Sequence, residues 1–166
     1  MSRTLVIMRH AKADQPESTA DIDRPLTTRG RADAKAAGVW LAVHRIAPEL
    51  VLCSPATRTR STWHEVAIGF SDGPIAAYPN VRYESDLYYS GVNAALALIR
   101  AVPVDVDTVL VIGHNPTVSA LTQRLDEAAG RAGIGLKTSG LAVHSVPGEW
   151  ADIAAAPLTA AHTARA

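Results

Sequence analysis

A chain of 166 residues carrying 16 Lys and Arg, 16 Asp and Glu and no formal net charge has the length of one domain. It lacks the basic excess that a broad nucleic-acid-binding face requires. Aromatics are only 5% of the residues while apolar residues are 48%, so the core has to be built from Val, Leu, Ile and Ala. The single cysteine, Cys53, cannot form an internal disulfide and implies no oxidising compartment.

The first element is the apolar run Leu5–Met8, too short for a signal-peptide core. No run approaches the roughly 20 apolar residues of a membrane span. The expectation is a soluble, cytoplasmic protein with no membrane partner. From Ala11 to about Thr28 the chain is irregular, and a loop of that length is often a lid or part of a binding site. Arg31–His44 has helical spacing, with Ala32, Ala36, Val39 and Val43 on one stripe. A second apolar run, Leu50–Cys53, precedes a helix over Thr57–Phe70. Cys53 reads as a buried small hydrophobe, and Trp40, Trp63 and Phe70 as core. Val81–Tyr89 begins as a strand and ends as a loop. Asn93–Val102 is a third helix. Val109–Ile112 is a third apolar run, and Pro116–Ala128 a fourth helix. Leu141–Val146 and Glu149–Ile153 flank Pro147-Gly148 and read as a hairpin. Ala154–Ala166 shows no period, so the domain is expected over 1–154, with 155–166 a weakly ordered tail. The three apolar runs lack polar alternation, as strands covered on both faces do. Strands alternating with helices indicate a single three-layer α/β/α domain with a mostly parallel sheet.

In open parallel sheets, ligands bind beyond the carboxyl ends of the strands. Arg9-His10 follows the first run, Ser54-Pro55-Ala56-Thr57-Arg58 the second, and Gly113-His114-Asn115-Pro116 the third. Ser54-Pro55 and Asn115-Pro116 each resemble a helix N-cap followed by proline at the first helical position. Helix starts favour anions, and arginine binds phosphate oxygens with a planar fork. Two arginines, two histidines and two helix starts describe a pocket for a doubly charged phosphoryl group. Lys12 could add charge at its rim. Asn115 could donate to the phosphate or cap its helix. Asp21, Asp23 and Arg24 are expected to fix the long loop by ion pairing. His44, His64, His144 and His162 lack the matching context, and the six histidines show no metal-ligand spacing. No metal and no cofactor is called for.

The ordered set Leu5-Val6-Ile7-Met8-Arg9-His10-Ala11, Asp23-Arg24-Pro25-Leu26-Thr27 with Gly30, Cys53-Ser54-Pro55 with Arg58, Leu87-Tyr88 and Val111-Ile112-Gly113-His114-Asn115-Pro116 resembles the histidine phosphatase superfamily. Within it, the chain is similar to the short SixA-type phosphohistidine phosphatases. The resemblance implies a phosphoglycerate-mutase-like fold and a metal-independent phosphatase. His10, as a neutral imidazole, would attack phosphorus and form a phosphohistidine intermediate, with Arg9, Arg58 and a cationic His114 holding the phosphoryl oxygens. A carboxylate would protonate the leaving group, with Glu84 favoured and Asp86 the other candidate. The implied partner is a phosphate-containing substrate, a phosphohistidine protein among them, and the oligomeric state stays open. One departure stands out: Ala11 replaces the usual glycine. A mutase-like phosphotransferase is the second enzyme reading, weakened by the lack of inserted segments. A non-catalytic phosphate-binding protein on the same fold is the third.

Overall fold

The three apolar runs become parallel strands in the middle of a six-stranded sheet. The computed structural model describes residues 2–71 and 78–166. Its strands are β1 (Arg3–Arg9), β2 (Leu50–Cys53), β3 (Asn80–Tyr83), β4 (Thr108–Gly113), β5 (Gly140–Val146) and β6 (Leu158–Thr163), in the spatial order β3-β2-β4-β1-β5-β6. The first four are parallel, while β5 pairs antiparallel with β1 and β6 antiparallel with β5. This is the mixed α/β architecture with a mostly parallel sheet that the alternation of strands and helices indicates.

Residues of the central strands alternate between two cores. Leu5, Ile7, Leu50, Leu52, Val109 and Val111 pack with helices α4 (Val92–Arg100) and α5 (Thr117–Leu125). Val6, Met8, Val51, Cys53, Leu110 and Ile112 pack with α1 (Thr28–Val43) and α2 (Thr57–Ser71) on the other face. Burial on both sides is why the stretches Leu5–Met8, Leu50–Cys53 and Val109–Ile112 within these strands carry no charged or hydroxyl side chains. Cys53 lies in the second core, and burial pushes its thiol up to about 12. Phe70 is buried there, with Trp40 and Trp63 half-buried against it.

Several expectations need correction. The buried face of α1 is Ala34, Ala37, Gly38 and Leu41, whereas Val39 and Val43 face solvent. With alanine on every side of this helix, apolar spacing alone did not select the face. The sequence from Pro116 to Ala128 makes two helices, α5 and α6 (Glu127–Arg131), because Asp126 stops the first and caps the second by accepting from Ala128 N and Ala129 N. Val81–Tyr89 ends in a one-turn helix, α3 (Asp86–Tyr89), rather than a loop. Glu149–Ile153 is not a strand; Trp150–Asp152 forms a 3-10 turn with Trp150 buried and its Nε1 donating to Val106 O. The hairpin partner of β5 is instead β6, inside the segment expected to be weakly ordered. Leu158, Ala160 and His162 are half-buried and alternate with exposed Thr159, Ala161 and Thr163. Alanine and threonine obscured that period, since alanine is a weak strand former.

Helices α1 and α2 touch backbone to backbone. A Cβ added to Gly38 would lie 2.1 Å from Val66 O, and one on Gly69 would lie 2.0 Å from Lys35 O. Only glycine permits that approach.

Candidate active site

The strand exits are stitched together by backbone hydrogen bonds. His10 N donates to Gly113 O, and Ser54 N donates to Ile112 O. The chain therefore delivers Arg9-His10, Ser54 and His114 to one edge of the sheet. Thr62 links the first exit to α2: its Oγ1 accepts from Ala11 N at 3.0 Å and donates to Arg58 O at 2.7 Å. Ala11 is wholly buried and is not among the described residues with positive φ. The backbone here asks for nothing that glycine alone can supply, which accounts for the departure from the usual triplet.

His10 is 8% exposed, and its ring lies 5.2 Å from that of His114. Its Nδ1 sits 2.7 Å from Ala11 O. A carbonyl only accepts, so Nδ1 carries the proton and Nε2 keeps the lone pair. Burial, together with His114, Arg58 and Arg9, pulls the ring down to about 3 against the raising effect of that bond. His10 is thus a neutral imidazole with a free Nε2. His114 is pulled down to about 4, first by burial and then by Arg58. In the free protein burial favours the neutral form of His114; the cationic form that the resemblance implies is one that contact with a phosphate would favour. His114 Nε2 bonds Ser54 Oγ at 2.7 Å.

Both histidines titrate below their unfolded value of 6.5. Their stability contribution is complete above that value and is lost as pH falls toward 3–4, because the unfolded chain takes up the protons first. In an NMR titration of the free protein, neither ring is expected to titrate between about pH 5 and 8. Addition of an inert phosphate analogue should bring the His114 signals toward the imidazolium position. A midpoint near neutrality for His10 in the free protein would refute this picture.

Arg58 is 6% exposed. Its Nη1 donates to Asp21 O at 2.7 Å, and its Nη2 to Asp21 Oδ2 at 3.1 Å. The same carboxylate oxygen accepts from Tyr88 OH at 2.6 Å, while Oδ1 meets Arg24 Nη1 at 3.3 Å. The Tyr88 hydroxyl, with the two arginines, holds Asp21 down to about 2. Tyr88 also stands edge-on to His114, with ring centroids 5.5 Å apart. Asp21 does tie down the long loop, as the sequence suggests, but it does so by occupying the fork of Arg58. Sequence reasoning places Asp21 only in the ion pairing of the loop and Tyr88 only in the Leu87-Tyr88 motif; that both meet at Arg58 is what it missed.

Buried polar atoms without partners are costly, about 1–3 kcal/mol each. Among the described residues they include Arg9 Nε, Arg58 Nε and His114 Nδ1.

The remaining candidates divide. Pro55 and Pro116 lie before the helices, since α2 begins at Thr57 and α5 at Thr117. Ser54 therefore serves His114 and only weakly meets Ala56 N, at 3.4 Å. Asn115 accepts from Ser119 N and Ser119 Oγ, and its Nδ2 donates to Leu136 O at 2.8 Å. Its side chain is given to the scaffold rather than left for phosphate. Lys12 is exposed at the rim, its carbonyl held by Thr27 N and Thr27 Oγ1. Glu84 is half-buried, and its N–H bonds Cys53 O beside Ser54. Asp86 is exposed and bonds Ser90 Oγ at 3.0 Å, committed to the end of α3. Among the other histidines, His144 is buried between Ala156 O and Thr122 Oγ1, and His44 and His162 stack on Trp40. Among the described residues, no group of three or more His, Cys, Asp or Glu side chains could hold a metal, and no helix is long and apolar enough to cross a membrane.

The histidine phosphatase superfamily (branch 1) matches residues 5–82. A chain from Nakamurella multipartitia, a candidate phosphohistidine phosphatase SixA, is 37% identical; the likeness covers 100% of this chain and 98% of that one, with a TM-score of 0.83. The chain belongs to the histidine phosphatase superfamily. An uncharacterized protein of Mycobacterium tuberculosis is 40% identical over 153 residues, covering 88% of this chain and 91% of that one. The protein histidine phosphatase SixA complexed with tungstate is 25% identical over 96% of each chain, with a TM-score of 0.79. Phosphatase chemistry is the activity class of this member of the superfamily.

Proposed function

We propose that this superfamily member is a metal-independent phosphatase that hydrolyses phosphohistidine or phosphomonoesters through a phosphoenzyme intermediate on His10. The observation that carries the reading is the neutral His10 ring, its Nδ1 tied to Ala11 O, among Arg9, Arg58 and His114. Nε2 attacks phosphorus, the bond to the leaving group breaks, and a phosphohistidine forms. Water then displaces phosphate and restores the imidazole. One hard displacement becomes two easier ones. Arg9, Arg58 and His114 bind the equatorial oxygens, and the guanidinium charge takes the place of a metal ion. The similar SixA protein is complexed with tungstate, an oxyanion, which supports a phosphate-like ligand for this chain.

Purified protein is expected to hydrolyse a generic aryl phosphate at an undiminished rate in EDTA; dependence on an added divalent ion would refute the mechanism. Substrate class is tested by comparing rates on phosphohistidine, phosphoserine and phosphotyrosine peptides and on sugar phosphates, with phosphohistidine expected to lead.

Glu84 is the proposed proton donor to the leaving oxygen of a monoester, since Asp86 is turned to Ser90. A protonated imidazole leaves well unaided, so phosphohistidine needs little from an acid. Glu84→Gln is accordingly expected to slow aryl and alkyl phosphates by about 10²-fold or more and phosphohistidine far less. Equal losses on both would make Glu84 structural.

A further inference from the structure

The sheet edge does not stop at His10. Leu141 lies opposite Met8, and Thr163 lies opposite Gly140. The start of β5 and the end of β6 thus continue the edge at which β1 exits, on the side away from β4 and β2. There Lys12, Arg29, Asp33, Thr138 and Arg165 line a cavity of about 220 Å³. Three cations face one carboxylate. Ser139, next to Thr138, donates its N–H to His10 O at 3.1 Å. Lys12 is two residues past His10, so their Cα atoms are within about 7 Å. Neighbouring strands lie about 4.8 Å apart, so β5 stands directly beside the strand that leads into His10.

The charged side chains lining the cavity are three cations and one carboxylate. The Asp33 carboxylate is buried and accepts from Ala166 N at 2.9 Å; Arg165 Nη1 is 3.7 Å away and Arg29 Nε 3.9 Å. The contacts of Arg165 all run through Nη1, to Thr138 O, Ala164 O and Asp33. Lys12 has no ion-pair partner among the described residues. A concave wall with three cationic side chains and one carboxylate side chain, beside the backbone of the proposed nucleophile, suits an anion held together with the reacting group.

We propose that this cavity is a second anion subsite, which takes a carboxylate or phosphate carried by the same substrate as the scissile phosphoryl group. The proposal rests on the catalytic reading of His10 for its registration with the phosphoryl pocket. It makes the preferred substrate one with two anionic groups several ångströms apart. An acidic residue beside a phosphorylated side chain and a second phosphate on a small molecule are the two sources of that chemistry.

The test is calorimetric binding to His10→Ala protein, which removes turnover from the measurement. Para-carboxyphenyl phosphate is expected to bind about fivefold tighter than para-carbamoylphenyl phosphate, as partly exposed charge pairs allow. Arg29→Glu, and more mildly Arg29→Gln, should abolish that preference. Reversal of a remote charge, Arg131→Glu on α6, should preserve it. Para-phenylene bisphosphate distinguishes the sources: tighter binding than the carboxylate assigns the subsite to phosphate, and weaker binding assigns it to a carboxylate. Equal binding of the carboxyl and carbamoyl probes, or a preference that survives Arg29→Glu, overturns the subsite and leaves the phosphoryl pocket standing. If neither probe binds, both readings fall together.

Discussion

Replacement of His10 by alanine is expected to reduce turnover by on the order of 10⁴-fold or more, the scale seen when a covalent catalyst loses its nucleophile. The fold should survive. The side chain removed makes one backbone hydrogen bond, to Ala11 O, and its loss costs about 1–2 kcal/mol. In a domain of this size that is a fall of only a few degrees in melting temperature, at about 2–4 °C per kcal/mol. Activity and stability should therefore separate cleanly. Alkaline denaturing quench of the wild-type enzyme during turnover should trap phosphate on protein in an acid-labile, alkali-stable form that His10→Ala does not give. A variant that retains a tenth of the rate would remove His10 from the reaction.

The second large effect is expected at Arg58. Its guanidinium is nearly inaccessible to water and donates from both terminal nitrogens. In such surroundings a donor aimed at developing phosphoryl charge is worth about 10²–10³ in rate. Arg58→Ala should lose that factor in kcat/KM, together with most of the affinity for inorganic phosphate. Arg58→Lys should recover only part of it, because an ammonium cannot span two oxygens in a plane. The same variants report on Asp21. Asp21 holds the fork of Arg58, which under the proposed mechanism the phosphoryl group must share or take over, so Asp21→Asn is expected to tighten phosphate inhibition. An Arg58→Ala enzyme with kcat/KM within tenfold of wild type would refute the assignment.

How far the site could be read from the chain depended on whether its parts were local. Leu5–Met8, Leu50–Cys53 and Val109–Ile112 could be read as buried parallel strands because both faces of each are covered, and the residues after them could be read as a site because sheet topology brings such exits together. The face of α1 could not, since Ala32, Ala34, Ala36 and Ala37 look alike to a periodicity count. β6 was hidden for the same reason. The Asp21–Arg58–Tyr88 contact joins residues 37 and 67 positions apart from Asp21; nothing in their local sequence requires it. The neutral state of His114 was equally out of reach, because it follows from burial and from charges contributed by other segments. The cavity beyond His10 draws Arg165 from a stretch that composition marked as a tail.

The glycine crossing of α1 and α2 bears on how such an enzyme can be damaged. Thr27, just before α1, grips Lys12, and Arg58 stands in the first turn of α2. Gly38 and Gly69 thus set the spacing of two helices whose N-terminal ends carry the grip of Thr27 on Lys12 and the guanidinium of Arg58. A single methyl group at either crossing point must push the two helices apart. Inactivating lesions should therefore collect at two positions without chemistry of their own, and a screen for lost activity would find them while every reacting group stayed in the sequence.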